Sequence, residues 1–376
     1  MGIKAFGFDP TLSDAFVSFA YDLYRGDPQW IPPFRREIYA QLLPGFPFYK
    51  KPGNSCRHFL ATGGKKILGR VSAMVNRDLK DRDGRPVGTV GFFECVDDYE
   101  VARDLLDAAT QWLQEEQRRD RIWGPMNFDI WHCYRMMTHG FDQEPFYGEP
   151  YNKSYYPDYF ERYGFIAKKQ WISVEVSGRE ALERMIFRGQ ERYQLLIGKG
   201  YRFEDFNPQQ LGNEVKKLYS LLTQSFKGFL GFTPLPLEEF ENLFTHYRAA
   251  LHPRLWTFVY DEEGDFVGFG GAFLELSDPV RRMKGRNDVL SKLRFLYQRR
   301  YVNRINFYIG GMTSKEATKK SGLGRAGFYH IVRRILEEGY ERVVIALMAE
   351  GNPVKGLLKG LPVDTHREYT LYELNG

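Results

Sequence analysis

Cysteine is scarce in this chain. Its 376 residues hold three, Cys56, Cys95 and Cys133, far apart and without a CxxC pair. That pattern excludes a disulfide framework and a cysteine-type zinc site, and it suits a reducing cytoplasm. His132, Cys133 and His139 lie close together, but their spacing fits no common zinc pattern, so no metal is expected. No apolar run approaches the roughly 20 residues of a membrane span, and the N-terminus lacks a signal-type apolar stretch, so no membrane partner is expected. Charge of one sign is also lacking. The net charge of +5, from 53 basic and 48 acidic residues, is too small to argue for nucleic acid. Aromatics are plentiful: 30 Phe and 24 Tyr, within an apolar fraction of 43%, can build packed cores.

The strand and helix signals repeat. In the first half, strands are predicted at Ile3 to Phe8, Arg57 to Ala61, Ile67 to Val75 and Val87 to Cys95. Helical spacing follows at Tyr99 to Glu116, then a short strand at Arg121 to Gly124 and a closing strand at Gln170 to Val176. Glu180 to Gly198 reads as a linking helix. The order then restarts. Tyr201 to Pro208 parallels Ile3 to Pro10, and the strand pair Leu255 to Tyr260 and Phe266 to Leu276 parallels Arg57 to Val75. The chain thus reads as two copies of one layout. A first domain is expected over 1–178, a linking helix over 179–200 and a second domain over 201–376. Strands alternating with helices place both in the α/β or α+β class.

One stretch organises the second copy: Lys319-Lys320-Ser321-Gly322-Leu323-Gly324-Arg325-Ala326. An apolar strand precedes it and a helical run from Phe328 to Glu338 follows. Glycines let backbone approach a ligand, and a helix N-terminus presents N–H donors with partial positive charge, so the stretch suits a phosphate. Lys319-x-x-Gly322-x-Gly324 resembles the coenzyme A pyrophosphate loop of the GNAT superfamily of N-acetyltransferases, whose pattern is Gln/Arg-x-x-Gly-x-Gly/Ala. This chain departs from it with Lys at the first position. Asn352, beyond the strand Val343 to Leu347, is similar to the family's Asn. The resemblance implies two GNAT-like domains in tandem, each a mixed, mostly antiparallel sheet flanked by helices. The first is expected to be degenerate. At the equivalent place it reads Glu94-Cys95-Val96-Asp97-Asp98-Tyr99-Glu100, where acids replace the glycines and would repel a pyrophosphate.

The implied reaction is acyl transfer from a thioester to an amine. The implied acetyl-CoA (or other acyl-CoA) site comprises Ile309, Gly310, Gly311, Met312, Lys319, Lys320, Ser321, Gly322, Leu323, Gly324, Arg325 and Asn352. Backbone N–H groups on the strand before the loop would stabilise the oxyanion. Tyr308 and Glu350 are the candidates for moving the amine's proton, with Glu275 a third strand-end carboxylate. The family's Tyr seven or eight residues after the Asn is missing: Lys359 and Gly360 stand there. Tyr369 and Tyr372 are the possible substitutes. The acceptor expected is a small-molecule amine. Two other readings are an aminoacyl-tRNA-dependent transferase of the same paired architecture and a non-catalytic acyl-CoA-binding protein.

The stretch from Asp278 to Arg304 has no counterpart in the first copy. It carries Arg281, Arg282, Lys284, Arg286, Lys292, Arg294, Arg299, Arg300 and Arg304, with Leu290, Leu293, Phe295, Leu296 and Tyr297 interleaved. It reads as an amphipathic helix with a basic face. For the loop, Gly322→Glu with Gly324→Glu is expected to abolish acetyl-CoA binding without unfolding the chain, while replacing Asp97 and Asp98 leaves binding unchanged. Calorimetric titration reads both, and the reverse result would place the site in the first half.

Overall fold

The structure, a computed structural model, describes residues 1–246, 250–361 and 363–376, with backbone alone for 245, 246, 308, 353 and 357. The first copy supplies β1 (Gly2–Phe6), α1 (Pro10–Leu23), α2 (Arg35–Ala40), α3 (Pro47–Lys50), β2 (Ser55–Gly63), β3 (Lys66–Lys80), β4 (Pro86–Cys95), α4 (Tyr99–Gln111), β5 (Arg121–Gly124), β6 (Met136–His139), α5 (Tyr156–Tyr163) and β7 (Ile166–Ser177). After α6 (Arg179–Gly198) the second copy supplies β8 (Arg202–Asp205), α7 (Leu211–Phe226), α8 (Leu237–His246), β9 (Leu251–Tyr260), β10 (Phe266–Leu274), α9 (Ser277–Arg281), α10 (Val289–Gln298), β11 (Arg304–Met312), α11 (Ser314–Lys319), α12 (Leu323–Glu337), β12 (Arg342–Ala349) and β13 (Thr365–Asn375).

Helix ends follow the sequence. Asp9 accepts a hydrogen bond from the Leu12 N–H, and Pro10 opens α1 with its φ already helical. Gly164, at φ 111°, ends α5 in a conformation that disfavours residues with a Cβ. Helix α4 carries a stripe of Val101, Leu105 and Ala109 onto the first core, and Leu113 in the π-helical turn that follows extends it. Ile331, Val332 and Ile335 of α12 do the same in the second.

The strands form one sheet in the order β1-β2-β3-β4-β5-β13-β7-β12-β11-β10-β9-β8, with β6 beside β13. It is mixed and mostly antiparallel; among the described residues only β4–β5 and β11–β12 run parallel. The two copies meet through exchanged strands. β7 comes from the first copy but pairs with β12, Val343 facing Val176 and Ile345 facing Val174. β13 ends the second copy but pairs with β5, Tyr372 facing Gly124 and Leu374 facing Ile122. The apolar faces agree. Val174 and Val176 pack under α12, and Tyr372 packs with Val90, Leu105 and Phe160. The sequence boundaries at 178 and 200 coincide with ends of elements, but the sheet does not break there.

Charged groups are buried along this seam. Arg304 lies 2.7 Å from Glu175 and 3.5 Å from Glu275, and Arg342 lies 2.8 Å from Glu175. Arg367 lies 2.9 Å from Glu149, both side chains fully buried. Burial pushes the Glu149 carboxyl above its usual range, and the Arg367 guanidinium pulls it back. Removing one member of such a pair strands the other without solvent. Glu149→Ala is therefore expected to cost about 3–5 kcal/mol, read from the midpoint of urea unfolding.

Candidate functional site

The second copy contains an opening between two parallel strands. β11 and β12 pair only from Arg304 and Arg342 to Phe307 and Ile345. Beyond that β11 keeps only β10, as far as Met312, and β12 keeps only β7, at Met348 and Ala349. At the point of divergence the β10–β11 register slips between Gly271 and Ala272, which leaves Tyr308 as the extra residue of a β-bulge. A bulge frees backbone N–H groups from the ladder and re-aims them. The Tyr308 side chain lies outside the described residues.

The glycine loop is organised differently from expectation. The loop does not leave β11 directly, because α11 intervenes. Thr313 caps α11 by accepting from the Glu316 N–H at 3.2 Å. Lys319 ends α11 and points inward: its Nζ lies 3.4 Å from Glu316, 4.0 Å from Asp261 and 3.5 Å from the Tyr201 hydroxyl. Glu316 is fully buried, so Lys319 neutralises it and is not presented to a phosphate. Lys320 is exposed at φ 50°, and Gly322 at φ 83° caps α12 without a side chain. Leu323 is a core residue packed on Gly268, and its N–H is taken by Ser321 Oγ at 3.1 Å. The Gly324 N–H has no acceptor among the described residues. Gly324 itself is exposed, beside Met312 at the end of β11. Gly311 is needed for packing: a Cβ there would lie 2.7 Å from the Phe269 ring. Ile309 packs toward α7 and α8. Gly310 keeps open space around its Cα, its nearest neighbour being the Phe269 carbonyl.

Sequence reasoning missed Arg192. It lies on α6, far from the loop in sequence, yet a Cβ on Gly322 would meet its side chain at 2.9 Å. Close packing of α6 on α12 puts it there: a Cβ on Gly189 would come 2.7 Å from Tyr329. Arg192, Lys320 and Arg325 are exposed and have no ion pair among the described residues, so three free cations ring the uncapped N-terminus of α12. The available sequence signal was the glycine at 189 in the middle of a long helix.

The remaining expected residues divide. Glu350 is exposed at the end of β12. Asn352 caps a 3₁₀ turn by accepting from the Val354 N–H at 2.9 Å. Glu275 is consumed by structure, accepting from the Tyr147 and Ser277 N–H groups and the Ser277 hydroxyl. Tyr372 sits in the first core with its hydroxyl on Glu161, and Tyr369 is fully buried at the seam. Neither replaces the missing Tyr, because strand exchange carries β13 away from the second opening. His132 pairs with Asp129 at 2.8 Å, and His139 lies against His366, so the three sulfur and imidazole groups do not converge. His330 packs on Tyr193, and burial lowers its pKa to about 4.

The corresponding opening in the first copy is stapled shut. β4 and β5 pair at only two positions. There the Met126 N–H donates to the Val90 carbonyl at 2.8 Å and the Phe92 N–H donates to Asn127 Oδ1 at 2.8 Å. A Cβ on Gly91 would lie 2.4 Å from that oxygen. Asp98 caps α4 through the Glu100 N–H, and Asp97 accepts from the Tyr159 hydroxyl. Glu94 accepts from Tyr24 and Tyr156, both at 2.8 Å, beside Arg70. The acids that occupy the loop therefore hold the first copy together.

No protein-family model matches the chain. Protein YghO of Escherichia coli (strain K12) is 27% identical over 237 residues, 61% of this chain, and the match spans 57% of that protein. Among solved structures, a tandem GNAT protein from the clavulanic acid biosynthesis pathway aligns over 100% of this chain and 98% of its own (TM-score 0.54, 9% identity). A GCN5-related N-acetyltransferase from Sphaerobacter thermophilus aligns over 99% and 95% (TM-score 0.51, 10% identity). A probable N-acyltransferase from Enterococcus faecalis V583 aligns over 99% and 72% (TM-score 0.51, 8% identity). The chain has the tandem GNAT fold. Its open strand pair and uncapped helix lie in the second GNAT-like half, and its stapled pair in the first.

On the coenzyme A reading of the loop, Arg192→Ala is expected to weaken acetyl-CoA binding about tenfold with little change in stability, because the guanidinium is exposed and unpaired. Lys319→Met is expected to do the opposite: it strands buried Glu316 and lowers stability by about 1–3 kcal/mol, without a direct loss of cofactor contacts. Titration calorimetry and thermal unfolding of the two variants separate these roles.

Proposed function

We propose that the protein is an acyl-CoA-dependent N-acyltransferase that moves an acyl group, acetyl in the simplest case, to the amine of a small molecule. The observation that carries this reading is the asymmetry of the halves. One strand pair diverges beside an uncapped, cation-ringed helix N-terminus, while its counterpart is stapled by Asn127 and capped by Asp98.

In this reading Gly322–Arg325, with Arg192 and Lys320, receives the pyrophosphate. The pantetheine arm follows the open edge of β11 past Gly310, which leaves room for it. The thioester carbonyl then meets the bulge at Tyr308, whose neighbouring N–H groups take the developing oxyanion. The amine nitrogen attacks the carbonyl carbon. The tetrahedral intermediate collapses as the C–S bond breaks, which leaves an amide and the coenzyme A thiol. The ammonium proton lost before attack passes through Glu350 or Tyr308, and the thiolate gains one on leaving. Asn352 holds the turn that sets the end of β12 and acts by position.

Isothermal titration with acetyl-CoA and with aminoacyl-tRNA tests the donor, and thiol release against a panel of amines tests the reaction. The expected result is acetyl-CoA binding at one site per chain, amine-dependent thiol release, and no tRNA binding. Absence of acyl-CoA binding overturns the proposal. Glu350→Gln is expected to lower kcat by about 10²–10⁴-fold if the carboxylate is the base, with acetyl-CoA affinity unchanged. Full activity in that variant assigns the proton to Tyr308.

A further inference from the structure

Helix α10 is the part of the basic insert that the acyl-transfer reading does not use. It buries no residue completely. One side chain, Phe295, packs partly into the second core, and Val302 follows it there. At about 100° per residue, Val289, Leu290, Leu293, Leu296 and Tyr297 fall on an arc opposite Phe295. These five, with Tyr301 one turn beyond, are between 54% and 75% exposed. The anchor points in and the apolar face points out, which is the reverse of a core helix. Lys292 and Arg299 lie toward one side of the apolar arc, and Arg294 lies on the other. None of these three, nor Arg300, forms an ion pair among the described residues. The single acid at the helix start, Asp288, is occupied in capping it and pairing Arg286.

We infer that α10 is an interfacial helix that seats the protein on an anionic lipid surface. The apolar face supplies burial in the headgroup boundary, and the flanking cations supply attraction to anionic headgroups. Tyr297 and Tyr301 stack edge to face with their hydroxyls 3.1 Å apart, which places two amphipathic rings at the level where such rings prefer to sit. A second copy of the chain would set the same row of unpaired cations against itself. No helix of the described residues is long and apolar enough to cross a membrane. The sequence led to an expectation of no membrane partner; that expectation rested on the absence of a spanning run, whereas an interfacial helix needs none. The insert also touches the first half: the Arg35 N–H donates to the Gly285 carbonyl at 3.2 Å.

The test is co-sedimentation of the full chain with vesicles of phosphatidylcholine containing phosphatidylglycerol, and with vesicles of phosphatidylcholine alone. Binding is expected to the anionic vesicles, weakened by added salt and at least about tenfold weaker to the neutral ones. Leu290→Asp with Leu293→Asp is expected to reduce binding at least about tenfold, since each substitution places a charge in the apolar boundary. Lys292→Glu with Arg294→Glu is expected to remove the salt-sensitive part. All four side chains are exposed, so far-ultraviolet circular dichroism of both variants should match the parent. No binding to anionic vesicles overturns the inference, as does unchanged binding by the Leu290/Leu293 variant. A dimer in analytical ultracentrifugation that this variant dissolves also overturns it, because a second copy then covers the face.

Discussion

The backbone pairing of β7 with β13 holds the two halves in one sheet, and the rest of the molecule is arranged around it. Each half builds five strands from its own copy and then takes a strand from the other. Neither half therefore completes its sheet until both copies are folded and in register. A slip of one residue at the seam would turn Val174 and Val176 from the second core to the opposite face and displace Tyr372 from the first. The buried ion pairs at the seam oppose such slips. Glu175 reaches both Arg304 and Arg342 only in the observed alignment, and Arg367 meets Glu149 only there. Buried charges of this kind are poor sources of net stability. Here their geometry fits a role in fixing register.

The same seam explains why a duplicated layout supports two different openings. In both halves a parallel pair ends just before an irregularity in the longer strand, at Tyr308 in β11 and between Gly91 and Glu94 in β4. What decides the outcome is the segment that follows the short strand. After β5 the chain passes Pro125 and folds back, so that Met126 and Asn127 bond to β4. After Ile345, β12 instead continues beside β7 alone. The backbone donors of β11 beyond Phe307 are left without that plug. The helix that follows each strand matches its opening. Asp98 spends a carboxylate on the N-terminus of α4, whereas Gly322 offers α12 no side-chain acceptor. The two openings thus differ through the loops that follow their strands, within one shared layout.

Strand and helix order was legible because alternation and helical spacing are local. The glycine loop and its acidic counterpart were legible because both are short motifs with electrostatic meaning. The strand exchange was not. Hydrogen bonds between backbones leave no mark on side-chain type, and β7 and β13 alternate equally well beside either neighbour. Lys319 was misread for a local reason: α11 occupies the residues before the loop, so the lysine belongs to a helix end and faces the buried Glu316 three residues back. Arg192 was invisible because its nearness to Gly322 depends on how α6 crosses α12, which no linear spacing encodes. Tyr369 and Tyr372, named as substitutes for the missing Tyr, are core residues, because the same exchange sets β13 between β5 and β7.

Gly322 shows how these constraints meet at one residue. Its φ of 83° already disfavours any side chain, and its Cα faces the stem of Arg192 closely enough that a Cβ would collide. The glycine therefore does two things. It lets the backbone turn from α11 into α12 with the Gly324 N–H left without an acceptor among the described residues, and it lets a cation from α6 cross directly over that turn. A phosphate there would be met by helix dipole, backbone donors and guanidinium from different directions. Alanine at 322 would relieve neither constraint, since strain and collision both begin at the Cβ. The packing of α6 thus requires glycine at 322 as much as the turn does, and the linking helix borders the candidate site.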